Sequence, residues 1–139
     1  MIERVTHVDD ELVDAMGRLI PQLSPHRRPP TWDDLAALVG EQTLLVARDG
    51  GAIVGTLTLV LYRTMRIRAR IDDVVVDQAA RGRGIGESLV LEALRLATEA
   101  GAVHVELNSR PYRNDANRLY VRLGFELQET NSYRLDLPR

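Results

Sequence analysis

A chain of 139 residues, 45% hydrophobic and 27% charged, has the size and composition of one soluble domain spanning residues 1–139 with a single core. Its net charge of −2 gives no global electrostatic support to a nucleic-acid partner, so none is expected. The absence of cysteine excludes a thiol nucleophile, a disulfide framework and thiolate metal sites.

The three histidines, His7, His26 and His104, show no ligand spacing, so no metal is expected. Glu3, His7, Asp9 and Asp10 interrupt any apolar stretch at the N-terminus, which does not read as a signal peptide. No apolar run approaches the roughly 18 residues that span a bilayer, so the expectation is a cytoplasmic protein without a membrane partner.

In chain order, Ile2 to Val5 reads as a short strand. Asp9 or Asp10 caps a helix to Leu23, with Leu12, Met16, Leu19, Ile20 and Leu23 on one face. The loop from Ser24 to Thr31 carries Pro25, Pro29 and Pro30, and Thr31 caps a second helix to Val39 with Asp33 and Asp34 in its first turn. Trp32 is expected in the core. Thr43 to Ala47 is a strand, Asp49-Gly50-Gly51 a hairpin turn, and Ile53 to Tyr62 the returning strand. Arg66 to Val76 is a long strand. Ile67 and Ile71 alternate with arginines in its outer half, and Val74 to Val76 are expected to be buried on both faces.

After that strand comes Arg81-Gly82-Arg83-Gly84-Ile85-Gly86, then a helix to Ala100 with Ile85, Leu89, Ala93 and Leu96 on one stripe. Strand, turn and helix with glycines at the junction expose backbone N–H groups at the positive end of a helix dipole, a site that favours phosphate. Arg81 and Arg83 add charge that does not titrate away. A Walker A loop is excluded because no Gly-Lys pair occurs, and a dinucleotide fingerprint because position 87 is Glu. Gly101 ends the helix, and His104 to Leu107 is a strand parallel to the previous one, since a helix connects them. A helix from Asn114 to Leu123 stops at Gly124; Phe125 opens the next strand, and Glu126–Glu129 and Ser132–Leu137 are expected to close the sheet. The sum is an α/β chain: a mixed sheet, mostly antiparallel, with about four helices.

The spelling R-x-x-G-x-G from Arg81 to Gly86, directly after a strand ending Val-Asp, resembles the acyl-CoA loop of the GNAT (Gcn5-related) N-acetyltransferase superfamily. The stretch from Arg113 through Asn117 and Tyr120 to Gly124-Phe125 is similar to that family's second signature. The resemblance covers about Ile53 to Arg134. It implies the GNAT fold, with a central parallel βαβ unit whose strands splay apart. It also implies an N-acetyltransferase that moves an acetyl group from acetyl-CoA directly to the primary amine of a small molecule in a ternary complex. A protein or peptide acetyltransferase and a non-catalytic acyl-CoA sensing module remain as alternatives.

By the same resemblance the acyl donor lies on Val74, Val75, Val76 and the loop Arg81, Gly82, Arg83, Gly84, Ile85 and Gly86, with Arg113 or Asn117 touching it. The N–H of Val75 or Val76 serves the developing oxyanion. A base must free the amine. Asp72 fits the first place of an acidic pair, with Asp73 contacting the substrate cation, and period two sends their carboxylates to opposite faces. Glu106 is a second base candidate, and a bridging water a third. Tyr120 stands where a phenol protonates the departing thiolate. In this superfamily the first two helices line the acceptor site; the loop between them, His26 to Pro30, either steers an anionic substrate group or is a solvated loop stiffened by proline. Members often dimerise, so a homodimer is possible.

Overall fold

The computed structural model describes residues 1–138 and resolves two compact units, Met1–Asn108 and the segment from Ser109 onward. The first unit carries five strands in the order β1 (Ile2–Arg4), β2 (Thr43–Asp49), β3 (Ala52–Arg63), β4 (Ile67–Val76) and β5 (Val105–Glu106). Neighbours are antiparallel except β4 and β5, which are parallel. Helices α1 (Asp10–Leu23), α2 (Trp32–Glu41) and α3 (Ile85–Glu99) complete it. The sequence expectation of a mixed, mostly antiparallel sheet holds, and so do the helices. Among the described residues no helix is long and apolar enough to cross a membrane.

The helix starts are local chemistry. Asp9 Oδ1 accepts from the Leu12 N–H at 2.9 Å, satisfying one of the unpaired donors of α1. At α2 a reciprocal capping box forms: the Asp34 N–H donates to Thr31 Oγ1 at 3.1 Å, and the Thr31 N–H donates to Asp34 Oδ2 at 2.9 Å. Between β2 and β3, Gly50 and Gly51 both take positive φ, 60° and 88°, the two-residue turn whose twist suits a hairpin.

Strand alternation divides the core. Leu44 and Val46 of β2 and Val75 of β4 pack with Leu12, Ala15, Met16, Leu19 and Ile20 of α1 and Leu35 of α2. The opposite face carries Leu45, which pairs with Leu57, and Leu59, which pairs with Ile71; all four are buried. Helix α3 covers that face closely. A Cβ on Gly55 of β3 would meet the Ile85 and Leu89 side chains and the Val75 carbonyl at 3.3 Å, so glycine there sets how near α3 lies. Leu89 and Ala93 of the expected stripe have no accessible surface, Ile85 and Leu96 are half-buried, and Val90 and Ala97 beside the stripe are buried with it.

Four expectations are corrected. Trp32 is 47% exposed at the first position of α2 rather than in the core. Strand β5 is only two residues long, Val105–Glu106, not His104 to Leu107. Of the three valines only Val75 is fully buried; Val74 and Val76 are half-buried, because a bulge interrupts β4 just before them.

The fourth correction concerns the second unit. It contains α4 (Asn114–Arg122), and Gly124 at φ 100° follows it as the helix stop anticipated. The closing strands Glu126–Glu129 and Ser132–Leu137, opened by Phe125, are absent from the described residues. A strand needs a neighbour for its backbone groups, and this segment makes local bonds instead. Gln128 donates to the Glu126 carbonyl at 3.0 Å, and Arg134 pairs with Asp136 at 2.9 Å. Its alternating Leu127, Tyr133, Leu135 and Leu137 stay exposed.

Candidate active site

The turn after β4 is held from below. Arg18 of α1 donates to the Ile53 carbonyl at 2.7 Å and pairs with Asp77 at 3.4 Å, and Gln22 Oε1 accepts from the Gln78 N–H at 2.8 Å. Asp77 caps a single 3₁₀ turn, Gln78–Ala80, by accepting from the Ala79 N–H at 3.2 Å. That bond, helped by Gln22 and Arg18, holds its carboxyl below the usual carboxylate range.

The glycine-arginine loop then leads into α3. Gly82 and Gly84 adopt φ of 82° and 77°, a region costly for residues with a Cβ. Gly84 is the N-cap of α3 and offers no side-chain cap, so the first turn presents its backbone N–H groups outward. Gly86 is helical and does not need glycine's positive φ. The two arginines differ. Arg83 forms an ion pair with Asp49 at the β2–β3 hairpin, and Arg81 Nε donates to the Val76 carbonyl at 3.1 Å.

Beside this loop the sheet opens. The parallel ladder between β4 and β5 pairs Ala69 with Val105 and Arg70 with Glu106, and goes no further. On that side no strand pairs with residues 71–76 among the described residues. The Asp77 N–H donates to the Val54 carbonyl of the β3 side at 2.7 Å, so alternation turns the Val76 N–H away from β3, toward the opening. An uncapped helix start, two left-handed glycines and a bare strand edge fit a pyrophosphate followed by an extended amide-bearing arm, which is the chemistry of coenzyme A.

The acidic pair is not arranged as period two predicts. Thr56 pairs with Val75 and Thr58 with Asp72, which leaves Asp73 and Val74 together opposite Leu57. Asp73 takes a positive φ of 52° at this bulge, the single non-glycine residue among those described to do so. The Asp73 N–H donates to Asp72 Oδ1 at 3.0 Å. Opposite faces are therefore overturned: Asp72 shares the face of its partner Thr58, Asp73 lines the same cavity as Thr58, and the charges of both carboxylates act on Arg27.

That cavity has a volume of about 300 Å³ and lies between α1, the α1–α2 loop and α2 on one side and β2, β3 and the β4 bulge on the other. Arg27, Arg28, Asp34 and Asp73 supply its charge, and Thr56 and Thr58 its neutral polar wall. Arg27 donates to Asp73 through both terminal nitrogens, at 2.5 and 2.9 Å. This bond raises the Arg27 pKa further above its ordinary value. The threonines were not anticipated as site residues; the signal was two polar positions, Thr56 and Thr58, in step on one face of an apolar strand. Glu106 lies outside the lining, on β5, where it pairs with His104 at 3.2 Å.

In the second unit Tyr120 is buried, and its ring meets Phe125 edge-on with centroids 5.8 Å apart. Burial raises its pKa, partly opposed by the charge of Arg113. Asn117 spends its amide on the approach to α4, donating to the Arg110 carbonyl at 3.0 Å. Arg113 is the N-cap of α4 and makes no side-chain cap.

A five-stranded sheet that opens beside a glycine-arginine helix start is the frame of a coenzyme A-dependent N-acyltransferase. The chain belongs to the acetyltransferase (GNAT) family, whose model matches residues 9–125. It is 35% identical over 114 residues to a probable glucosamine 6-phosphate N-acetyltransferase 2 of rice, Oryza sativa subsp. japonica, covering 76% of this chain and 66% of that protein. Against glucosamine 6-phosphate N-acetyltransferase of Trypanosoma brucei brucei the identity is 34% over 91 residues, 63% of this chain and 59% of the relative. The chain thus spans roughly three-fifths to two-thirds of the length of these two relatives. An aminoglycoside acetyltransferase from an uncultured soil metagenomic sample, solved with sisomicin, superposes with a TM-score of 0.84 over 100% of this chain and 96% of that one at 21% identity, which shows the shared fold.

Proposed function

We propose that the chain transfers an acetyl group from acetyl-CoA directly to the primary amine of a small molecule, with an amino sugar phosphate such as glucosamine 6-phosphate as acceptor. The observation that carries this reading is the cavity at the β4 bulge, where a carboxylate and two arginines converge beside the opened sheet edge. The names of the relatives, one of them given as probable, point to glucosamine 6-phosphate, an amine and a phosphate in one molecule.

In this reading the loop from Gly82 to Gly86 takes the pyrophosphate on backbone N–H groups, and residues 74–76 pair with the extended arm. Arg113 and Asn117 are further contacts of the donor, by their places in the second signature. Asp73 holds the incoming ammonium. Asp72, with Glu106 or a water as the other candidates, accepts the proton that must leave before nitrogen can attack. The Val76 N–H, already facing the opening, meets the carbonyl oxygen as it gains charge. Nitrogen forms its bond to the acetyl carbon, the C–S bond breaks, the Tyr120 phenol gives its proton to the sulfur, and the second proton, lost by the acylated nitrogen and carried by solvent, restores the phenol. Burial supports that role by keeping the phenol protonated. Transfer is direct, in a ternary complex that holds the amine against the acetyl carbon. We read both units as one domain, supported by a family match that runs through them.

The test is thiol release from acetyl-CoA across amino sugars with and without phosphate, amino acids, polyamines and peptides. Turnover concentrated on a phosphorylated amino sugar supports the reading. Turnover on peptides alone replaces it with a protein acetyltransferase, and tight acetyl-CoA binding with no turnover on any amine replaces it with a sensing module. The chain contains no lysine, so acetyl label retained on the protein itself reports only the N-terminal amine or an acyl-enzyme.

A further inference from the structure

The acceptor cavity is already filled, electrostatically, by its own chain. Arg27 comes from the loop after α1, which turns where the Arg27 N–H donates to the Ser24 carbonyl at 3.2 Å and is stiffened by Pro25, Pro29 and Pro30. Its guanidinium grips Asp73, 46 residues away, with both terminal nitrogens. A cation on Asp73 is what an ammonium substrate would be, so Arg27 stands where the substrate's nitrogen has to go. Arg28 lines the same cavity; its charge acts on Asp34, and it makes no hydrogen bond or ion pair among the described residues. Asp34 is committed to the Thr31 capping box and does not offer Arg28 a comparable grip.

We infer that Arg27 is a specificity residue that works by exchange of ion pairs. The substrate's ammonium displaces Arg27 from Asp73, and the displaced guanidinium, joined by Arg28, takes an anionic group carried by the same substrate. The inference rests on the acceptor site proposed above and names the substrate class: a primary amine that also bears a phosphate or carboxylate.

The physical reason is a balance of charges. An amine with no anion must break the two-bond Arg27–Asp73 pair and brings the displaced guanidinium no new partner in exchange. An amine with an anion replaces one pair by two. The exchange is within reach because the pair is partly open to water, with side chains 46% and 26% exposed, so it is screened and replaceable. The left-handed backbone of Asp73 belongs to the bulge between β3 and β4 and not to Arg27, so Arg27→Met leaves the residue at the cavity for an ammonium.

The experiment is calorimetric titration of the whole chain, in the presence of coenzyme A, with glucosamine 6-phosphate, glucosamine, glucose 6-phosphate and serine. Wild-type protein is expected to bind glucosamine 6-phosphate at least about tenfold more tightly than either glucosamine or glucose 6-phosphate. Arg27→Met is expected to move the two amines in opposite directions: glucosamine binds several-fold more tightly as Asp73 is freed, and glucosamine 6-phosphate about tenfold more weakly. Arg28→Met weakens glucosamine 6-phosphate without any gain for glucosamine, because Arg28 holds no carboxylate. Serine binding more tightly than glucosamine 6-phosphate keeps the exchange and makes the anion a carboxylate. The inference is overturned if Arg27→Met weakens both amines together, if it leaves both unchanged, or if wild type prefers plain glucosamine. These outcomes are independent of turnover: the opposite shifts without thiol release sink acetyl transfer and leave the exchange standing, whereas turnover without them sinks the exchange alone.

Discussion

Arg48 of β2 grips Glu11 of α1 with two parallel hydrogen bonds, 2.9 and 2.8 Å long, across 37 residues of sequence. The same guanidinium pairs with Glu3 of β1 and donates to the Gly51 carbonyl at 2.7 Å. One side chain thus ties the first strand, the first helix and the hairpin together, and α1 ends at the loop that carries Arg27.

The bonds from Arg48 lower the Glu11 pKa below its ordinary 4.5. A depressed carboxyl contributes stability that is complete above the unfolded pKa and is lost as pH falls through the folded one. Stability should therefore decline as pH drops below about 4.5, and less steeply in Glu11→Gln, which has no such proton to take up. Urea midpoints between pH 7 and pH 3 check this; parallel curves for the two proteins would show that the clamp carries no pH-dependent stability.

The loop prediction separates backbone strain from ligand binding. Gly84→Ala and Gly50→Ala both place a Cβ at positive φ, 77° and 60°, with no heavy atom within 4 Å of it in either case. Each is expected to cost about 1–2 kcal/mol of stability for the same reason. Only Gly84→Ala should weaken acetyl-CoA binding, since Gly84 opens α3 and Gly50 turns the hairpin. Calorimetry with acetyl-CoA decides, and equal affinity in the two variants would remove the cradle from this loop.

Tyr120→Phe keeps the buried ring and its edge contact with Phe125 and loses only the proton donor. Turnover should fall about 100-fold or more with acetyl-CoA affinity intact. Because burial raises the phenol pKa above 10.0, wild-type activity should show no loss attributable to Tyr120 between pH 7 and pH 9. In parallel, Asp72→Asn should reshape the pH–rate profile while Glu106→Gln leaves it alone. A profile moved only by Glu106→Gln transfers the base to β5.

Much of the frame is readable residue by residue because it is decided by near neighbours. Asp9 and the Thr31–Asp34 box start helices through bonds three residues long, and Gly50-Gly51 turns a hairpin within one step. The stripe of α3 and the loop from Arg81 to Gly86 are local in the same sense, and with the second signature they were enough to point to the family.

What only the tertiary structure decided are the relations that depend on register and on chain closure over long separations. Period two alone sends Asp72 and Asp73 to opposite faces; the pairing of β4 with β3 inserts a bulge instead and turns Asp73 into the cavity. Nothing in the spacing of Arg27 and Asp73 announces a contact across 46 residues. The alternation from Leu127 to Leu137 reads as strand, yet alternation supplies only a face, and a strand also needs a partner's backbone groups. Local patterns are settled by bonds and sterics within a turn or two, whereas the acceptor cavity exists only once distant segments have been brought together.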